Sequence, residues 1–293
     1  LQTALALERW RGRVGGRVAA WIQALAEVEA LASLGGFAAD HPAFTFADIE
    51  DGPPSLAAAS LGHPLLDDAR RVPNDVALGR DAPAALLVTG SNMSGKSTLL
   101  RAIGVNVALA LAGAPCCAKR LALTPVTLRT SMRVRDSIRE GVSHFYAELA
   151  RLKAVVDGAD AGERVLFLLD EVLHGTNSRE RRIGAKAVAL HLVDAGAIGA
   201  VTSHDLGLAD LAAESRGRIT CVHFEEQVDA GKMTFDYRLK PGVVASGNAL
   251  RLMRELGLPV PEHALGASRR DAPEHVLALG ASRRDAPEED ADD

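Results

Sequence analysis

The sequence predicts an α/β fold, a largely parallel sheet flanked by helices with an added antiparallel hairpin, and three observations predict it. Short apolar runs at residues 84–89, 165–169 and 197–202 alternate with stretches whose apolar residues recur at helical spacing. That alternation lays strands side by side under covering helices. A glycine-rich loop, Gly90-Ser91-Asn92-Met93-Ser94-Gly95, joins the first run to a helical pattern beginning Leu99-Leu100-Arg101-Ala102-Ile103. Two further apolar segments, residues 218–224 and 233–239, flank a turn at Asp229-Ala230-Gly231 and supply the hairpin.

Taken in order, residues 18–31 read as a helix after the break at Gly15-Gly16, and its apolar face needs a partner. Residues 35–83 are rich in Gly, Pro and Asp and read as irregular structure with small strands. The longest apolar stretch, residues 102–118, is interrupted by Asn106, Gly113 and Pro115, which makes it a buried helix and its exit rather than a membrane span. Strand material follows at 121–128, then helices at about 143–156 and 178–195, and a short helix around 205–213. A last helix near 249–256 ends at Gly257 and Pro259. Residues 264–274 and 278–288 repeat the same eleven residues, ALGASRRDAPE, which cannot bury a core. Residues 261–293 are therefore expected to be a disordered, duplicated acidic tail.

Length and composition allow a proper core: 293 residues, 47% of them hydrophobic. The net charge of -5 lies wholly in residues 261–293, where nine acids oppose four arginines, so the body is neutral. A neutral body makes no global electrostatic case for nucleic-acid binding; the cluster Arg129, Arg133, Arg135 and Arg139 reads either as solvated surface charge or as a local patch for it. Cys116, Cys117 and Cys221 fit neither a disulfide framework nor a metal-ligand spacing. Small buried thiols of this kind suit a reducing compartment, and the expected location is cytoplasmic, in a bacterial-type cytosol or with the nucleoid.

The chemistry is carried by four segments. Gly90 through Gly95, followed by Lys96, Ser97 and Thr98, form a P-loop between strand and helix. Its glycines let consecutive backbone N–H groups wrap a polyphosphate, Lys96 reaches the terminal phosphates, and the Ser97 hydroxyl ligates magnesium. The run at 166–169 ends in Asp170 and Glu171. Asp170 is expected to hold the magnesium ion, and Glu171 to orient or deprotonate the attacking water. His204 closes another strand end, from which an imidazole can hydrogen-bond a terminal phosphate, whereas His63, His174, His191 and His223 have no such setting. Ser143 stands as N-cap in Gly141-Val142-Ser143-His144, a further set of free N–H groups suited to an anion.

Together these residues resemble the MutS family of DNA mismatch repair ATPases, whose ATPase domain is of the ABC type; the likeness covers roughly residues 60–260. It rests on Asn92-Met93 in the P-loop, Ser143 and Phe145 in the signature loop, the pair Asp170-Glu171 with Gly175-Thr176 after it, and His204. The departures are Ser91 in place of a proline and Gly-Val-Ser-His in place of Gly-Arg-Ser-Thr. The resemblance implies ATP and Mg2+ as ligands and a homodimer in which each ATP lies between one chain's P-loop and Ser143 of the other. It also implies nucleotide state coupled to binding of mismatched or otherwise branched DNA through parts mostly outside this chain, with other repair proteins as further partners. No aromatic residue lies between Phe46 and Phe145 to stack an adenine, which leaves Val72 and Pro73, with Asn74, as the base-side segment.

On this reading residues 1–34 are the helical stub of a lever or clamp region, 35–260 the ATPase domain and 261–293 the tail. Leu1 begins inside a helical pattern, so the chain is expected to be the carboxyl-terminal part of a longer protein. Two other classes stay open at this point, another ABC-type ATPase serving DNA maintenance or transport and a non-hydrolytic ATP-gated interaction module. Against the first, this chain lacks that class's Ser-Gly-Gly-Gln run in the loop before the 143–156 helix, and the second leaves Lys96, Asp170 and Glu171 without a purpose.

Overall fold

A computed structural model describes residues 1–132, 144–173, 175–229, 232–243 and 259. Ser143 and His174, Arg133, Arg135 and Arg139, the helix expected at 249–256 and the tail at 261–293 lie outside the described residues. The chain opens with α1 (Gln2–Val14), a 3-10 turn at Gly15–Arg17 and α2 (Val18–Asp40). Gly15 and Gly16 do interrupt the helix, but α2 runs on through Gly35 and Gly36, six residues into the stretch read as irregular.

Next come β1 (Asp48–Ile49), β2 (Ser55–Leu61), β3 (Asn74–Gly79), β4 (Ala85–Thr89), α3 (Lys96–Leu111), β5 (Arg120–Leu123) and β6 (Thr127–Ser131). They are followed by α4 (His144–Asp160), β7 (Val165–Asp170), α5 (Ser178–Asp194), β8 (Ile198–Ser203), a 3-10 turn at Leu206–Leu208 and α6 (Leu211–Glu214). The last elements are β9 (Ile219–His223), β10 (Glu226–Asp229), β11 (Lys232–Phe235) and β12 (Lys240–Pro241).

Six strands form the main sheet in the order β12-β9-β4-β8-β7-β6; all neighbours are parallel except β12, which runs antiparallel to β9. A second sheet, β1-β5-β2-β3, is mixed: β1 and β5 are parallel, while β2 pairs antiparallel with both β3 and β5. The segment at 121–128 was expected to make one strand, yet Pro125 divides it. β5 joins the mixed sheet and β6 the main one, as fits a residue that has no N–H to give a ladder. The hairpin also forms one segment later than expected, between β10 and β11, with Asp229 the register partner of Lys232. The 218–224 segment instead supplies β9, which pairs parallel with β4 and buries Ile219 and Cys221.

Alternation along the strands sorts the core into two layers. Leu86 and Val88 of β4, with Leu166 and Leu168 of β7, face α3 and the mixed sheet, where Leu100, Ile103, Leu56 and Leu121 are buried. Ala85 and Leu87, with Phe167 and Leu169, face α4, α5 and α6, where Leu152, Ala189, Leu192 and Leu211 are buried. Each buried leucine, isoleucine, valine or phenylalanine among these contributes about 1.5–3 kcal/mol. By contrast α1 and α2 bury no residue at all, and Trp21, Ile22, Leu25, Val28 and Leu31 are all more than half exposed. By length and composition residues 2–40 could also cross a bilayer, but Glu27 and Glu29 stand within that apolar stretch, where hydrocarbon penalises them.

Candidate active site

The parallel strands β4, β7, β8 and β9 end on one edge of the sheet, and loops leaving that edge gather the polar residues. The first is the glycine loop after β4. Gly90 has φ +143°, and a Cβ there would stand 2.8 Å from Ser94 Oγ and 2.9 Å from the Phe224 carbonyl. Gly95, at φ +109°, is the N-cap of α3 and has no side-chain cap bond. Both positions therefore require glycine. The loop leads straight into α3 with no side-chain cap, so the helix's first N–H groups lack an intrahelical acceptor and carry the positive end of the dipole.

Two serine hydroxyls in this loop, Ser91 Oγ and Ser94 Oγ, are buried without a hydrogen-bond partner. Orphan hydroxyls in a cradle of this shape fit a ligand rich in oxygen acceptors. Asn92 and Met93 form the exposed tip. Lys96 is only 4% exposed; its Nζ donates to the Gly90 carbonyl at 2.8 Å and the Ser91 carbonyl at 2.9 Å and pairs with Glu171 Oε1 at 3.3 Å.

The end of β7 meets that loop. Asp170 Oδ1 accepts from Ser97 Oγ at 3.0 Å and from Thr202 Oγ1 at 2.7 Å, and Thr202 Oγ1 in turn accepts from the Glu171 N–H at 2.9 Å. Thr202 thus ties both acids to β8, where it is the register partner of Asp170. Sequence reasoning missed it, although a threonine two residues before His204 at a strand end was the available signal. Glu171 and Leu173 have φ of +48° and +64°, the left-handed region that costs a residue with a side chain about 1–3 kcal/mol. His204 Nδ1 lies 3.7 Å from Glu171 Oε1, so Lys96 and His204 flank one carboxylate oxygen.

Below them, Arg182 grips Asp205 with two hydrogen bonds of 3.0 Å, and the Gly207 N–H adds a third at 2.8 Å. Burial would raise the Asp205 carboxyl, but these bonds, with the charges of Arg182 and His204, hold it below the usual carboxylate range. The magnesium pair is also chemically apt. Ser97 and Asp170 present two hard oxygens side by side. No group of three or more His, Cys, Asp or Glu side chains suited to a metal exists among the described residues. A two-donor protein site fits Mg2+, which commonly takes its remaining ligands from phosphate and water.

A cavity of about 530 Å3 opens beside the loop, lined among others by His63, Val72, Asn74, Met93, Phe224 and Tyr237. That volume suits a nucleoside-sized ligand. Of the segment read as base-side, Val72 and Asn74 line this cavity and Pro73 is not among the lining residues. The cavity's aromatic side chains Phe224 and Tyr237 come from far along the chain. Asn74 Nδ2 donates to the Tyr237 carbonyl at 3.0 Å and Asn74 Oδ1 accepts from the Leu239 N–H at 2.6 Å, which moors Tyr237 beside the loop, its ring 3.3 Å from where a Cβ on Gly95 would stand. The two residues are 163 positions apart, so no local pattern announced the pairing. His63, left without a role above, also faces the cavity. Burial, then the charges of Arg101 and Arg71, push its imidazole below the ordinary value, and its Nδ1 accepts from the Leu65 N–H at 3.2 Å.

Residues 86–270 match the family model described as MutS domain V. Among curated proteins the chain is 31% identical over 271 residues to the DNA mismatch repair protein MSH6 of Arabidopsis thaliana, covering 86% of this chain and 20% of that protein. It is 32% identical over 248 residues to the DNA mismatch repair protein MutS of Natronomonas pharaonis, covering 83% and 28%. It is 33% identical over 202 residues to the Endonuclease MutS2 of Thermomicrobium roseum, covering 67% and 24%. The chain thus spans less than a third of the length of the curated relatives it matches.

Proposed function

The chain belongs to the MutS family, and on that premise we propose that residues 35–260 act as a magnesium-dependent ATPase domain of the P-loop, ABC type. The observation that carries this reading is the meeting of two segments: Lys96 and Ser97 of the glycine loop touch Glu171 and Asp170 at the end of β7. ATP would enter with its phosphates over the loop N–H groups and its base in the cavity walled by Val72, Met93 and Tyr237. Lys96 would exchange its carbonyl and carboxylate partners for the terminal phosphates, which frees Glu171 to orient the attacking water. Ser97 and Asp170 would hold magnesium, whose chemistry is to neutralise charge building on the phosphates. His204, beside Glu171, would hydrogen-bond the terminal phosphate.

In this reading two chains pair so that Ser143 of each meets the nucleotide of the other, and the energy difference between nucleotide states shifts the conformation of attached DNA-binding parts. The substrate we propose for those parts is mismatched or otherwise branched DNA. The names of the relatives, two mismatch repair proteins and one endonuclease, support a role on DNA. Cys116, Cys117 and Cys221 are buried and unbridged, which supports a cytosolic location.

The test separates binding from chemistry. Lys96→Ala is expected to abolish nucleotide binding measured by titration with a fluorescent ATP analogue. Glu171→Gln is expected to keep binding and to lower turnover by about a hundredfold or more. Tight binding by the lysine variant, or full turnover by the glutamine variant, would remove the assignment of that residue.

A further inference from the structure

Glu148 sits on α4, is only 4% exposed, and takes no part in the site as described so far. Its Oε1 accepts a short hydrogen bond from the Leu173 N–H, while its Oε2 is buried with no hydrogen-bond partner. Burying a carboxyl group for one backbone donor is expensive, and a leucine or methionine would fill the same space more cheaply. Stability therefore gives no reason for a glutamate here, whereas the identity of its partner does.

Leu173 lies two residues beyond Glu171, and both hold left-handed backbone angles, +64° and +48°. The Leu173 peptide is gripped from two sides. Glu148 takes the N–H, and Arg181 of α5 donates from Nε to the carbonyl at 3.2 Å and from Nη2 to the Thr176 carbonyl at 3.2 Å. Against this turn packs Phe145, so closely that a Cβ on Gly175 would stand 2.6 Å from the Phe145 Cβ. The turn after β7 is thus clamped between α4 and α5. The clamped turn fixes the direction in which the Glu171 side chain leaves the sheet, toward Lys96 and His204.

We propose that Glu148 is a positioning residue for Glu171: by holding the Leu173 N–H it keeps the 171–173 backbone in its strained turn and so aims the Glu171 carboxylate. Without that acceptor the turn relaxes out of the left-handed region, and Glu171 leaves its place between Lys96 and His204. Because Glu148 lies one turn into the helix that follows Ser143, the same bond ties the face proposed to meet a second chain's nucleotide to this chain's own Glu171. The inference rests on the reading of Glu171 as the residue that orients the water.

The experiment compares Glu148→Leu, which fills the space without an acceptor, with Glu148→Gln, whose amide oxygen can accept the same N–H. ATP turnover, affinity for a fluorescent ATP analogue and melting temperature are measured for both, with Glu171→Gln alongside. The leucine variant should lose roughly tenfold to a hundredfold in kcat, with nucleotide affinity within about twofold of the parent, and the glutamine variant should retain most of kcat. Turnover near the parent's in Glu148→Leu, or an equal loss in both variants, would overturn the proposal. Should Glu148→Leu not fold, Glu148→Asp, which withdraws the carboxylate from Leu173, must show the same selective loss of kcat, and full kcat there would overturn it. Full turnover in Glu171→Gln would instead count against the role of Glu171, which keeps the two failures apart.

Discussion

The strand-end site and the amino-terminal helices spend similar residues to opposite effect. Around β4, β7 and β8 nearly every leucine, valine and alanine is buried in one of two layers, and the polar groups at the strand ends are tied to one another. In α1 and α2, leucines, tryptophans, an isoleucine and valines stand in solvent, and no residue is buried. The difference teaches where stability is self-contained. The sheet can hold strained turns at Glu171 and Leu173 because the surrounding core is close-packed on both faces. The helices carry an apolar surface whose partner is not among the described residues.

The largest expected effect falls on the sheet. Phe167 is fully buried in the layer under α4 and α5, and Phe167→Ala should cost about 3–5 kcal/mol in a urea denaturation series. The matching change in the helices, Leu25→Ala, should stay within about 0.5 kcal/mol of the parent in this chain. A large loss there would mean that α2 is packed in solution and would erase the contrast.

The smallest effect concerns the cavity wall. His63 is held below its ordinary value of 6.5, so the folded chain binds that proton less readily than the unfolded chain. Stability should then be full above about pH 6.5 and decline as the pH falls below it. Melting temperatures at about pH 7.5 and about pH 5.5 should differ in that direction, and His63→Gln should narrow the gap. An unchanged gap would assign the acid sensitivity to other groups.

The same contrast explains what the sequence disclosed. The glycine loop, the acid pair and His204 were legible because each is a local pattern, a short run of residue types beside a strand. Strands β4, β7 and β8 were legible because strands buried on both faces are written as unbroken apolar runs. The mixed sheet was not, since β2 with its alanines and the two-residue β1 carry little hydrophobic signal. Thr202, Tyr237 and Glu148 escaped for another reason. Each acts through a partner 25 to 163 residues away, and pairing at that range is decided by topology.

The composite site we propose, complete only when two copies of the chain meet, is probed by ATP turnover measured against protein concentration, with sedimentation of Glu171→Gln in ATP beside it. The expected outcome is a specific rate that rises with concentration and an ATP-dependent dimer in the glutamine variant. ATP binding with no turnover at any concentration, or a specific rate independent of concentration in a monomeric protein, would contradict it.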